Sequence, residues 1–275
     1  MGQKLCAAER ELIEAVWAHY RIAGRHDLPW RRRRDPYRIA VSELMLQQTQ
    51  VARVVPKYRT FIRMYPTTAR LAQAPVRAVL TAWQGLGYNR RAKMLHDSAR
   101  IVHTQYAGRW PRTYDGLLTL PGIGPYTAGA ISAFAYDKAV PLIETNIRTV
   151  YLHHLFPAAY DVSEVDIQTA VSRTMDTAHP REWYWALMDY GAHLKQLHGN
   201  NITRARTYRK QSPFAGSVRE VRGAVVSLLT TRRAATPDEL AVELSFSRAR
   251  ISTACEGLCA DGLLIYQHGR YRLPG

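Results

Sequence analysis

Cysteine is scarce in this chain. Its 275 residues include three, Cys6, Cys255 and Cys259, with none from residue 7 to 254. An odd number so spaced gives no disulfide framework and fits a reducing compartment. Acidic residues are also few, 22 Asp+Glu against 38 Lys+Arg, for a net charge of +16. That imbalance points to a polyanionic partner, most simply double-stranded DNA. No run approaches the ~20 apolar residues of a membrane span, so no membrane partner is expected. The opening MGQKLCAAERELIEAV is amphipathic and carries acids, unlike a signal peptide. The expected home is the cytoplasm, in association with the nucleoid. Alternating strand patterns are missing before residue 260, and there is no internal repeat or low-complexity tract.

What is present reads as helix after helix. Hydrophobic residues make up 47% of the chain, enough for a packed core. Helical patterns cover 8–23, 37–46, 51–64, 69–74, 76–83, 90–106 and 114–119, with Pro or Gly at the boundaries. The second of these is apolar at Ile39, Val41, Leu44 and Met45, with Glu43 inside it. Residues 200–216 are basic and poor in aliphatics, and read as a linker or a DNA-facing strap. Beyond them come a helix over 218–229, a helix start with Thr236 as N-cap, Pro237 at N1 and Glu239 at N3, and a helix capped by Ser247. Segments 263–266 and 270–273 flank a Gln267-His-Gly269 turn. Three helices and a hairpin resemble a winged helix. In such domains the third helix, with Arg248 and Arg250 here, enters the major groove; a protein-binding role is the alternative.

Several local patterns carry chemistry. Leu120-Pro-Gly-Ile-Gly-Pro-Tyr126 reads as a tight turn whose glycines, Gly122 and Gly124, permit φ > 0. Two short helices joined this way aim backbone N–H groups and a helix N-terminus at an anion such as a DNA phosphate. An ordinary αα-turn is the plainer reading. Arg31 to Arg34 are consecutive arginines, either a solvated loop or a phosphate-contacting edge. Glu43 in its apolar helix is a candidate acid with a raised pKa, or else the partner of a nearby arginine. Cys255 and Cys259 lie four apart without further ligands, and His153-His154 have no partner at ligand spacing, so no metal site is expected.

The order and spacing of Leu28-Pro-Trp30, Asp35-Pro-Tyr37, Ser42-Glu-Leu-Met-Leu-Gln-Gln-Thr-Gln-Val51, Gly85-Leu-Gly-Tyr88 and Leu120 to Ile131 resemble the helix-hairpin-helix (HhH-GPD) superfamily of base-excision DNA glycosylases. Within it they resemble the MutY branch, which acts on adenine opposite oxidised guanine. The resemblance runs from about residue 10 to 195. It implies a mainly α, two-lobed core over 1–199, with a six-helix lobe at about 31–140 and a second lobe from the N-terminal helix plus about 141–199. A linker over 200–216 and the winged-helix-like domain over 217–275 follow.

By the same resemblance Glu43 protonates the adenine. Glu144, where the family usually has Asp, stabilises the oxocarbenium-like sugar, and Asn146 supports it. Gln48, with Thr49, belongs to the loop that wedges into the duplex. Tyr88 contacts the widowed base, Trp30 and Arg31 lie by the adenine pocket, and Leu120, Gly122, Ile123 and Gly124 grip the DNA backbone. Tyr126 stands where bifunctional members have the lysine that attacks the sugar. A phenol cannot form a Schiff base, so a glycosylase without lyase activity is expected. The family's four-cysteine iron–sulfur cluster follows an MDxGA stretch. Met188-Asp-Tyr-Gly-Ala192 is present, but Lys195 stands at the first cysteine position, so no cluster and no other cofactor is expected. The expected activity is monofunctional hydrolysis of a flipped adenine opposite 8-oxoguanine or G, by a monomer. The alternatives are another base (T or U opposite G, hypoxanthine, an alkylated purine) or a non-catalytic DNA-binding protein.

Overall fold

Polar caps, prolines and glycines cut the apolar pattern into short helices, and the computed structural model, which describes residues 4–210 and 212–275, is accordingly mainly helical. In chain order the helices are α1 (Ala7–Ala23), α2 (Pro36–Leu46), α3 (Val51–Met64), α4 (Thr68–Ala72), α5 (Val76–Trp83), α6 (Arg90–Gln105), α7 (Tyr114–Leu118), α8 (Pro125–Tyr136), α9 (Thr145–His154), α10 (Glu164–Thr174) and α11 (Pro180–His198). Helices α12 (Val218–Thr231), α13 (Pro237–Leu244) and α14 (Arg248–Ala260) follow, then strands β1 (Ile265–Gln267) and β2 (Arg270–Arg272). Single 3-10 turns occupy Pro29–Arg31 and Asn201–Arg204.

The chain divides into two units. The first holds the chain up to Ile39, Arg112–Leu118 and Ile123–Lys210. Its central element is α11, which packs on α9, α1 and α8 through buried Trp183, Tyr184 and Leu187. Part of the stretch expected as linker belongs here. Asn201 Nδ2 donates to Thr149 O (3.1 Å). Arg204 donates to the carbonyls of Leu152, Phe156 and Pro157 at 2.9, 3.0 and 2.6 Å. Ala205 bridges to Val162. These side chains fasten residues 201–205 to the C-terminal end of α9, where orphan carbonyls need donors.

The second unit holds Ala40–Pro111, Thr119–Gly122 and the chain after Lys210. Here α6 packs on α4 and α5, and α12 packs on both α5 and α14. Arg77 of α5 donates to Thr230 O (3.1 Å) and Arg232 O (3.2 Å), closing the C-terminus of α12. The capping box at Thr236 and Glu239 forms as expected. The terminal hairpin pairs Ile265 with Arg272 and Gln267 with Arg270, turning through His268 (φ 50) and Gly269 (φ 76). Cys255 packs in the core of this domain. Among the described residues no group of His, Cys, Asp and Glu is placed to hold a metal ion, and no helix is long and apolar enough to cross a membrane.

Candidate active site and nucleic-acid interface

Helix α2 ends at Leu46 and the chain turns through Gln47-Gln48-Thr49. Glu43 lies in its last turns, 4% exposed between buried Ser42 and Leu44. The last carbonyls of a helix have no intrahelical donors, and here Arg91 of α6 supplies them. Its Nη1 donates to Leu44 O (2.6 Å), Met45 O (3.2 Å) and Gln47 O. Its Nη2 donates to Thr49 Oγ1 (3.3 Å) and to the carbonyls of Leu86 and Gly87 (both 3.1 Å). Burial lowers the Arg91 pKa to about 10, which leaves it cationic at neutral pH. Each turn it binds has a residue in the left-handed region, Gln48 at φ 54 and Tyr88 at φ 48. Residues with a Cβ keep such backbones where the surroundings over-determine them. The bonds from one guanidinium to both turns do so, and they bring Gln48, Thr49 and Tyr88 together.

The Pro121–Gly124 turn precedes α8. Gly122 takes the left-handed region (φ 76), and a Cβ there would stand 2.7 Å from Met94 Cβ. Ser98 Oγ donates to Pro121 O (2.6 Å). Gly124 does not use the freedom that Gly122 does. It is the extended N-cap of α8 (φ −87), with Pro125 at N1. Leu120 and Ile123 are buried, so what this turn offers an anion is backbone, not these two side chains. Tyr126 sits in the first turn of α8, half-buried.

Glu144 is the N-cap of α9. Its Oε1 accepts from Asn146 N (2.8 Å) and Ile147 N (3.0 Å), and its Oε2 from Asn146 Nδ2 (3.3 Å). The longer side chain thus does what a capping Asp does. Lys195 of α11 donates to Asn146 Oδ1 (2.9 Å). Burial pushes the Glu144 carboxyl up; the Asn146 and Ile147 N–H groups and the Lys195 charge pull it back. Burial also lowers Lys195, opposed by Glu144. Helix α11 comes this close to α9 because Gly191 has no side chain: a Cβ there would lie 2.1 Å from Asn146 O.

Asp189, two residues earlier on α11, is buried under two arginines. Arg25 Nε donates to Oδ1 (2.6 Å), and Arg31 donates from Nη1 to Oδ2 (2.7 Å) and from Nη2 to Oδ1 (2.8 Å). Burial would raise the Asp189 carboxyl, yet Arg31 and Arg25 hold it below the usual carboxylate range. Arg31 also lies 5.3 Å from the Trp185 ring, and Trp30 beside it is buried. Arg31 is therefore neither a solvated residue nor an open phosphate contact, since both of its Nη groups are taken up by the bidentate pair with Asp189. Only Arg32, Arg33 and Arg34 of that run are exposed. The two arginines expected to enter a groove are also engaged. Arg248 pairs with Asp238 at 3.0 Å. Arg250 donates to Gly216 O (3.1 Å) and lies 4.7 Å from the Phe246 ring centroid.

Glu43 belongs to the second unit, and Glu144, Asn146 and Tyr126 to the first. Sequence reasoning missed Arg91, Lys195, Asp189 and Gly191. The Met188-Asp-Tyr-Gly-Ala192 string held a signal for the last two, an acid and a glycine inside a helix. Nothing local marks Arg91 among so many arginines.

The family model described as HhH-GPD superfamily base excision DNA repair protein matches residues 41–172. Two solved structures share the fold: a thermostable thymine-DNA glycosylase (TM-score 0.59, 25% identity, 67% of this chain and 86% of that one) and an endonuclease III–DNA complex (TM-score 0.58, 18% identity, 78% and 93%). The adenine DNA glycosylase of Mycolicibacterium smegmatis is 36% identical over 92% of this chain and 92% of its own length. That of Mycobacterium tuberculosis is 33% identical over 90% and 89%. The Homo sapiens protein of that name is 37% identical over 61% of this chain, which spans 33% of its length. The chain belongs to the adenine DNA glycosylase family.

Proposed function

We infer that this protein is a monofunctional DNA glycosylase of base-excision repair that releases a flipped adenine lying opposite 8-oxoguanine or G. The carrying observation is Glu144, a carboxylate fixed by two backbone N–H groups and a side-chain amide at the start of α9. Such an anion needs no reorganisation to meet positive charge growing on a sugar. Glu43, buried in α2, supplies the proton that lets adenine depart. The C1′–N9 bond breaks with its electron pair passing to the base, which keeps the Glu43 proton; water then adds its oxygen at C1′, and the proton it loses restores the Glu43 acid. The target nucleotide leaves the duplex for this chemistry, and Gln48 and Tyr88 hold the place it leaves. Tyr126 offers no amine, so the abasic strand stays intact.

We propose that the reaction runs without an iron–sulfur cluster. Four thiolates are needed, and between residues 190 and 212 there is no cysteine. The residues there do not fit such a group. Lys195, Asn201 and Arg204 spend their donors on Asn146 and on α9 carbonyls instead. Metal analysis of the purified protein should find no stoichiometric iron. We also propose a monomer working on nucleoid DNA in the cytoplasm, since one lesion on one strand has no two-fold symmetry; a solution mass of twice 31.3 kDa would refute it.

End-labelled duplexes test the reading. They carry A opposite 8-oxoguanine, A opposite G, T or U opposite G, and hypoxanthine opposite T. Breaks at A that appear only after alkali are expected, and Glu43→Gln should abolish them while binding persists. Breaks only at T, U or hypoxanthine would move the substrate. A borohydride-trapped adduct that disappears in Lys195→Ala would overturn the absence of lyase chemistry.

A further inference from the structure

Between Glu43 and Asp97 the chain has no acidic residue. The basic residues of α5 and α6 in this stretch are spent inside the protein. Arg77 donates to carbonyls at the end of α12, and Arg91 to the two turns it binds. Arg90 pairs with Asp261 at 3.4 Å and Lys93 with Asp97 at 2.6 Å. Those of α3 are not spent. Arg53, Arg59 and Arg63 are exposed, and none of their guanidinium groups is in an ion pair among the described residues. Like charges on one helix face repel, so this pattern does not stabilise α3.

Helical register lays these residues out. Val54, Tyr58, Phe61 and Ile62 are buried, so the opposite side of α3 faces outward. On it Ala52, Pro56 and Thr60, exposed and four apart, form a row of short side chains. Arg53 and the half-buried Lys57 border that row on one side, and Arg59 and Arg63 on the other. The result is a shallow seam with cations along both edges. It starts where the turn that holds Gln48 and Thr49 ends, since α3 begins at Val51.

We propose that the outward face of α3 seats the phosphate backbone of duplex DNA beyond the lesion, in undamaged and damaged duplexes alike. Guanidinium forks suit phosphate oxygens, and short side chains between them let a stiff backbone approach. From Arg53 to Arg63 the helix rises about 15 Å, the axial length of about four base pairs. Phosphate contacts carry no sequence information, so this face holds any duplex on which the site has not yet met its base. The proposal rests on the glycosylase reading only for its DNA partner.

Equilibrium binding of the full-length protein to an undamaged duplex, over a range of salt, tests it. Arg53→Gln, Arg59→Gln and Arg63→Gln together should lower the slope of log K against log salt by about two to three, close to one per lost phosphate contact. The loss should be the same on duplexes of unrelated sequence. Lysine at the same positions keeps the charge and should keep most of the slope. Arg21→Gln, Arg100→Gln and Arg109→Gln together remove the same charge from exposed positions outside α3, and should leave the slope near the wild-type value. An unchanged slope in the α3 variant, or an equal loss in the charge-matched control, overturns the proposal. Adenine release at saturating protein should be unaffected by the α3 substitutions, and in the wild-type protein it decides the glycosylase reading independently.

Discussion

Glu144 has one methylene more than an aspartate, and the α9 N-terminus absorbs it. Its oxygens take up the free N–H groups of Asn146 and Ile147, so the extra length goes into capping and the charge stays at the helix start. Glu144→Gln separates the two roles. The amide oxygen can still accept those bonds, so thermal stability should change by less than the ~1 kcal/mol typical of a lost cap. The rate of base release should fall by roughly 10²–10³, as when one electrostatic partner of a transition state is removed. An unchanged single-turnover rate would sink the role given to this carboxylate. Lys195 adds a pH signature. Burial raises the Glu144 pKa, while the Asn146 and Ile147 N–H groups and Lys195 oppose that rise. The other cation near Lys195, Arg148, is paired to Glu164 (2.6 Å). The ionised carboxylate is the working form, so activity should fade as pH drops through the raised value. Lys195→Met removes the opposing charge and should move that acid limb to higher pH. A limb that stays in place would make Lys195 a packing residue only.

Helices α9 and α11 depend on each other at one point, where Gly191 passes the Asn146 carbonyl. A methyl group there would sit 2.1 Å from that oxygen, so α9 or α11 must shift. Gly191→Ala should cost about 1–3 kcal/mol, the usual penalty of overpacking, and should slow base release by displacing Glu144. If melting and rate both match wild type, the helices are not held as close as described. The helices themselves were legible in the sequence. Thr236-Pro-Asp-Glu239 spells its own capping box, and Pro or Gly stands at most boundaries, because these residues act through local backbone chemistry. The two carboxyl groups and the glycine turn were legible through motif order. Contacts between distant segments were not. Arg91 serves carbonyls from the α2 end and from the Leu86-Gly87 turn, and no local pattern announces five bonds to backbone. Arg31 reads as one of a run of arginines until Asp189, 158 residues away, claims it. Residues 201–205 look like linker because their anchors are α9 carbonyls, which every sequence has.

At the scale of the whole molecule, charge is borne unevenly by residue type. The +16 excess comes from Lys and Arg, whereas several of the histidines are folded in as neutral rings. In the first unit His19 stacks on His193 with centroids 4.6 Å apart, and both lie near Tyr190. His154 Nε2 meets the Tyr190 hydroxyl at 3.0 Å, and His153 stacks on His198 at 5.0 Å. These contacts join α1, α9 and α11, the helices that carry Glu144 and Lys195. Burial lowers the pKa of His19, His153 and His154, and the neighbouring imidazoles lower it further; Asp189 and Glu11 oppose this. The direction sets the sign. A histidine held neutral in the fold binds its proton more readily once unfolded, so acid favours the unfolded chain. Stability should be full above the ordinary histidine value of about 6.5 and decline as pH falls below it toward the lowered folded-state values. The melting temperature should therefore drop between about pH 7.5 and about pH 5. His19→Phe keeps a ring to stack on His193 but cannot take a proton, and should flatten that decline. A melting temperature insensitive to pH over this interval, or an equal decline in His19→Phe, would remove the histidines from the account and leave their stacking as packing alone.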